Sequence, residues 1–247
     1  FAGNTTQGSS AVAVGYLAGN TTQSANAVAV GRYAGETTQG ASAVAIGSAA
    51  GTTTQGAGAV AVGGAAGQTT QGIKAIAVGY GAGLQTQGAS AVAIGENAGS
   101  DTQSLESIAI GKNAAAGATT TATYVSGGVA STVMVVDDTT DIVVGMRVTG
   151  TGFTFTTLEQ QQRVLSVDNA TTVTLSAVAN DGTPSGYIFF KSAQDYYAVA
   201  IGSGAGQTSQ GGYAVAVGMN AADDTQGTRA VAVGFQAGKT TQGGSAV

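Results

Sequence analysis

A sixteen-residue period runs through this chain and limits what it can fold into. The glycine that closes each Ala-Val-Ala-Val run falls at Gly15, Gly31, Gly47, Gly63, Gly79, Gly95 and Gly111, and the same spacing resumes at Gly202, Gly218 and Gly234. Gln7, Gln23, Gln39, Gln55, Gln71, Gln87 and Gln103 keep that interval and resume at Gln210, Gln226 and Gln242. Strict self-similarity at a short period predicts a solenoid, in which one coil stacks on the next. Sixteen residues are too few for a pair of helices and suit two short strands and two turns. Val12-Ala13-Val14 and Val44-Ala45-Ile46 carry the strand propensity, with a weaker strand signal in Thr5-Thr6, Thr21-Thr22 and Thr37-Thr38. Gly15 and Gly19 bracket a bend, where positive φ is cheap for glycine alone. The fold class expected is all-β, a parallel β-roll with sixteen-residue coils.

Alternation along Ala11-Val12-Ala13-Val14 places the valines on one side of the strand and the alanines on the other. Both sides are apolar, which calls for cover on both. Small Ala11, Ala13 and Ala18 suit the thin interior of one coil, so Val12, Val14 and their equivalents are expected to point outward. A coil this small cannot cover them itself. Three copies around an axis parallel to the rod would bury that stripe under closed symmetry, so a homotrimer is expected.

Runs such as Ser42-Ala43-Val44-Ala45-Ile46-Gly47 and Ser90-Ala91-Val92-Ala93-Ile94-Gly95 resemble the Ser-Val-Ala-Ile-Gly signature in the heads of trimeric autotransporter adhesins, which are left-handed parallel β-rolls wound as trimers. The coil here is slightly longer and adds a Thr-Thr-Gln in every turn. In that respect it is more similar to repeats in structural and tail-fibre proteins of marine bacteriophages and large aquatic viruses. The resemblance covers residues 1–115 and 196–247. It implies a trimeric fibre segment on a virion surface, in a tail or appendage, that gives rigidity and reach. Its partners would be its own copies, other virion proteins and a host-surface glycan or protein. The alternative implied is a bacterial adhesin head or extracellular filament at the cell surface.

Composition agrees with a stacked rod. Only 9% of residues are charged, with 41 glycines and one proline among 247, which opposes the charge-rich profile of disordered chains. No apolar run approaches the roughly 20 residues of a membrane span, so no membrane insertion is expected. Of a net charge of −5, the segment 117–195 holds four units, with seven acids and three bases. The repeats are nearly neutral and offer a phosphate backbone no basic stripe, so no nucleic-acid partner is expected. Both ends fall in mid-repeat: Phe1-Ala2-Gly3 aligns with Leu17-Ala18-Gly19, and Ala246-Val247 opens another Ala-Val-Ala-Val. The chain therefore reads as a segment of a longer protein.

The register breaks once. After Gly111 the next closing glycine is due sixteen residues on, and it arrives at Gly202, 75 residues late but in step. Residues 1–116 and 196–247 accordingly read as roll, and 117–195 as an inserted β-domain. Strand-like runs at Thr132–Val136, Met146–Thr149, Arg163–Val167, Thr171–Ser176 and Tyr187–Phe190, with turn formers at Asp168-Asn169 and Asp181-Gly182, suggest a small β-sandwich or barrel there. Gly145-Met146-Arg147-Val148-Thr149-Gly150 and the hairpin after it resemble small β-domains recurrent in phage structural proteins.

Catalytic chemistry has little to work with. The chain has no histidine and no cysteine, which removes the commonest general base, most nucleophile pairings and nearly all zinc and iron sites. Asp137, Asp138 and Asp141 form the one acidic cluster, without the alternating ligands and closing glutamate of a calcium loop. They read as a solvated turn, and Asp223-Asp224 as a loop variant. Gly79-Tyr80-Gly81-x-Gly83 invites a nucleotide-loop reading but lacks a following helix pattern and a phosphate-binding lysine, so it reads as a corner. Stacked threonines could match an ice lattice, although cross-strand pairing accounts for them. Gln7 and its equivalents are expected to form a side-chain ladder at a corner. No catalytic, cofactor or metal residue is assigned. The variable pairs after the closing glycine, including Tyr16-Leu17, Arg32-Tyr33, Tyr80-Gly81, Glu96-Asn97, Met219-Asn220 and Phe235-Gln236, are where recognition of a glycan by exposed tyrosine would sit, if they do not simply pack between coils or chains.

Overall fold

A computed structural model describes residues 1–117, 119–127, 133–137, 139, 142, 147–151, 164–176, 185–191, 194–195 and 197–247. The chain divides into two compact units, Phe1–Gly117 with Gln194–Val247, and Ala118–Ala193.

The first unit is the parallel β-solenoid that the period predicts. A regular coil gives two strands, and where the roll resumes after the insertion Gln194 takes the place of the two-residue strand as an isolated bridge. The three-residue strands, Val12–Val14 through Val231–Val233, form one ten-stranded parallel sheet, and successive strands pair at an offset of one repeat, Val12 with Val28 and Ala13 with Ala29. The two-residue strands, Thr6–Gln7 through Thr102–Gln103, form a seven-stranded sheet, and Ser209–Gln210, Thr225–Gln226 and Thr241–Gln242 form a three-stranded one. The second strand is thus the later threonine and the glutamine, not the threonine pair.

Turn geometry explains the glycine at the strand's end. Gly15 has φ of 130°, and a Cβ there would lie 2.5 Å from the carbonyl oxygen of Gly31 in the next coil. Both the backbone angle and the close stacking therefore demand glycine. The left-handed region is not reserved for glycine in this fold, however. Ser10 and Leu17 have φ of 59° and 55°, and residues as different as Asn26, Lys74, Tyr213 and Asn97 take equivalent places. Hydrogen bonds between coils, such as Asn26 N to Ser9 O at 2.9 Å and Tyr33 N to Tyr16 O at 2.8 Å, hold these corners in a conformation that costs a non-glycine residue free energy.

The alanines fill the interior, as their size predicts. Ala27, Ala29 and Ala34 are fully buried, and so are their equivalents Ala43, Ala45 and Ala50. From the opposite sheet, the glutamine side chains point inward and meet them. Gln23, Gln39, Gln55, Gln71, Gln87 and Gln103 are at most 1% exposed, so the ladder expected at a corner lies inside the roll. Gln23 Nε2 donates to Gln39 Oε1 at 3.0 Å and to the Val12 carbonyl at 2.7 Å, and each rung repeats the pattern, as Gln55 does to Gln71 Oε1 at 3.1 Å and Val44 O at 2.7 Å. Burying an amide is unfavourable unless its hydrogen bonds are replaced, and the neighbouring coils replace them.

The ladder crosses the insertion without a gap. Gln194 bridges Gln103 and Gln210 in parallel, accepts from Gln103 Nε2 at 3.3 Å and donates to Gln210 Oε1 at 3.1 Å. Ile108–Ile110 likewise pairs directly with Val199–Ile201. Gln194 and Asp195, assigned to the insert from sequence, therefore belong to the roll, because the roll resumes at its inward glutamine and not at the next Ala-Val run.

The second unit is β-rich. Among its described residues six strands join in one antiparallel sheet, in the order Arg147–Thr151, Ser185–Lys191, Thr119–Gly127, Val133–Val136, Thr172–Leu175, Val164–Asn169. Thr119–Gly127 links the two halves and shifts register between Tyr124 and Ser126. It has no counterpart among the strand runs read from sequence, since Thr119-Thr120-Thr121-Ala122-Thr123 lacks an apolar alternation. Met134, Val136, Val148, Val164, Val173 and Leu175 are buried. Met146, Arg163 and Asp181-Gly182, named above, lie outside the described residues.

Two outcomes follow from this construction. Gln55→Ala removes a donor to Val44 O and Gln71 Oε1 and the acceptor of Gln39 Nε2, so it should cost about 2–4 kcal/mol in chemical unfolding, whereas the exposed Thr54→Ser should stay within about 0.5 kcal/mol. Deleting Gly117 to Lys191 should leave a continuous roll, and loss of its cooperative unfolding transition would show that the second unit is needed for folding.

Candidate functional site

With the alanines turned inward, the opposite side of the ten-stranded sheet presents two aliphatic side chains per strand. Val28, Val30, Val60 and Val62 are half-buried, while Ile46, Ile94 and Ile201 are exposed at 41%, 38% and 38%. The interior is complete without them: the buried cluster consists of alanines from the strands and the turns. A stripe of half-buried and exposed valine and isoleucine therefore runs the length of the sheet.

The stripe continues onto the corner beside it. Tyr16, Tyr80, Met219 and Phe235, each two residues past the last aliphatic side chain of its coil, are 60%, 68%, 51% and 66% exposed. Tyr16 meets Tyr33 edge to face at 5.6 Å, and the Arg32 guanidinium sits 4.5 Å from the Tyr33 ring centre and donates to its hydroxyl at 3.2 Å. Glu96 and Lys112 pair across adjacent coils at 3.2 Å. Contacts from one coil to the next thus form at part of this corner, between Tyr16 and Tyr33 and between Glu96 and Lys112.

The Thr-Gln sheet shows a different surface. Thr21, Thr22, Thr37, Thr38, Thr53 and Thr54 are exposed, so one sheet of the roll offers hydroxyls to water and the other offers methyl groups. This asymmetry separates a wettable side from one that water covers poorly.

The acidic residues do not converge among the described residues, where no group of three His, Cys, Asp or Glu side chains is placed to hold a metal ion. Asp137 is exposed, and Asp138 and Asp141 lie outside the described residues. Partial burial raises the carboxyl of Asp223 above the ordinary aspartate range, against the opposing pull of Lys239. Asp168, at an exposed hairpin, accepts hydrogen bonds from Ser166 Oγ at 2.5 Å and Thr174 Oγ1 at 2.7 Å, and these hold its carboxyl below the usual value. Gly79, Gly81 and Gly83 take φ of 126°, 62° and 54° in a corner that leads into Thr86–Gln87, not into a helix.

Two features escaped the sequence reading. Gln194 stands one period before Gln210 and was legible by counting backwards. Tyr197 and Tyr213, one repeat apart across adjacent coils, stack at 5.1 Å with 15° between their planes, and their only signal was an unequal residue at a variable corner. Among the described residues no helix is long and apolar enough to cross a membrane. Comparisons with protein-family models, curated proteins and solved structures give no match, so function is argued from the surfaces of the chain itself.

With no group of three acids placed to hold a metal ion among the described residues, added calcium or a chelator should leave the thermal unfolding midpoint unchanged, because only an ion that binds the folded state raises it. A calcium-dependent rise abolished by Asp137→Ala or Asp223→Ala would assign a site to that turn.

Proposed function

We propose that the chain is a structural fibre segment, a β-roll shaft in which three copies pack their valine and isoleucine stripes together, and that it serves as a tail-fibre or appendage shaft on a virion. The observation that carries this reading is the stripe itself. Two aliphatic side chains per strand over ten strands leave on the order of 1,000 Å² of apolar surface, above the roughly 300–600 Å² patch that a monomer usually leaves bare and close to the about 800 Å² per partner of a stable interface. The occupant favoured is another copy of this chain, because a straight stripe with one repeat per coil matches the periodicity of its own kind at every coil.

Rigidity supports the same reading. Two inter-coil sheets and a buried amide ladder tie each coil to the next, and nothing in the described residues is organised as a catalytic centre. The second unit is a separate compact unit inserted into the roll between Gly117 and Gln194, and contact with a host glycan or protein is the role it suits.

Sedimentation or mass photometry of the chain should give three copies, and a stable monomer at micromolar concentration would sink the proposal. Val60→Thr with Val62→Thr should weaken association about tenfold or more while the coil keeps its unfolding temperature, since both side chains face away from the interior. Immunogold labelling of material from the source should mark particle appendages. Labelling of cell surfaces without particles would instead support an extracellular filament or adhesin.

A further inference from the structure

A stripe made of one repeated unit has strength but no address. All ten strands offer valine or isoleucine at both outward places, and these differ by one methylene, so two parallel copies displaced by a single coil would still bury nine coils out of ten. A shaft of defined length and defined display nevertheless needs one register. Something aperiodic has to supply it.

Besides the second unit, inserted between Gly117 and Gln194, residue identity varies from coil to coil at the left-handed corner of Asn26, Lys74 and Tyr213 and at the corner that follows the closing glycine. The latter corner directly follows the outward aliphatic places of the strand. There one residue per coil, immediately after the closing glycine, changes size and charge from coil to coil. Tyr16, Tyr80 and Phe235 stand out as rings, Gly64 leaves a gap, and Glu96 and Lys112 form an ion pair. Gap and ring are fitted to each other, because the Tyr80 ring leans toward Gly64 so closely that a Cβ there would lie 3.2 Å from its Cδ2.

We propose that this corner column sets the axial register between copies. The proposal rests on the self-association reading above and assigns to these residues a specificity role, in which mismatch of rings, gap and charges disfavours every displaced pairing. It predicts that flattening the column frees the register without dissolving the assembly.

The absence of native cysteine makes the test direct. Val62→Cys and Val78→Cys, on neighbouring strands about 4.8 Å apart, are placed in separate, differently tagged copies that are assembled together and oxidised to disulfides, whose reach is shorter than one coil's displacement. In the otherwise unaltered chain, products should join position 62 to 62 and 78 to 78, with the mixed product at background. In the variant Tyr16→Ser, Tyr80→Ser, Glu96→Ser, Lys112→Ser, Phe235→Ser, the mixed product should rise to about the level of the same-position products, with copy number and circular dichroism unchanged. A variant that keeps same-position products alone would overturn the proposal, as would mixed products already abundant in the unaltered chain. A monomeric mass with no products would instead overturn the self-association on which it stands.

Discussion

The rest of the roll depends on an amide buried in every coil between the first and the last. A glutamine inside a protein is costly unless both ends of its side chain are satisfied, and here the preceding glutamine supplies a donor and the following one an acceptor, while a strand carbonyl takes the other hydrogen. Those partners exist only if coils stack at one spacing. The ladder therefore fixes the repeat at sixteen residues more tightly than hydrophobic burial does, because alanine packed on alanine tolerates a shift that an amide cannot. It also explains the glycine four residues before most rungs, Gly19 before Gln23 and Gly35 before Gln39 among them. A Cβ on Gly19 would lie 2.7 Å from Gln23 Oε1, in the space the amide occupies.

An interior committed to amides and alanines has no room for larger aliphatic groups. The valines and isoleucines of the repeat are displaced to the surface for that reason, so the apolar face is a consequence of how the inside is filled. Core and outer face are coupled through one short strand: its alanine stabilises the coil, and its valines and isoleucines face away from the interior. Substitutions at neighbouring residues should accordingly separate effects on the coil from effects on its outer face.

Much of this was legible in the sequence, and the limits have physical causes. The period gave the coil, the alternation of Ala27 to Val30 gave the facing, and Gly15 marked a corner that no other residue could occupy. The direction of the glutamine side chain was not legible, because buried and exposed amide ladders share the same spacing and only the partnering carbonyls distinguish them. The roll's return at Gln194 was obscured by the missing Thr-Thr before it. Left-handed corners at Ser10 and Leu17 were hidden too, since inter-coil hydrogen bonds there impose a backbone that the residue types do not announce.

The continuity across the insertion has a mechanical meaning. In a solenoid the covalent chain runs around the rod, and tension along the axis is borne by the bonds between coils. The coils on either side of the insertion are joined to each other by Ile108 N to Ala198 O at 2.9 Å, Gly202 N to Ile110 O at 2.7 Å, Ala115 N to Ala205 O at 2.8 Å and Gly117 N to Gln207 O at 3.0 Å, as well as by the amide ladder. The load path thus passes from coil to coil and bypasses the second unit. Changes within that unit accordingly leave the bonds between the coils in place.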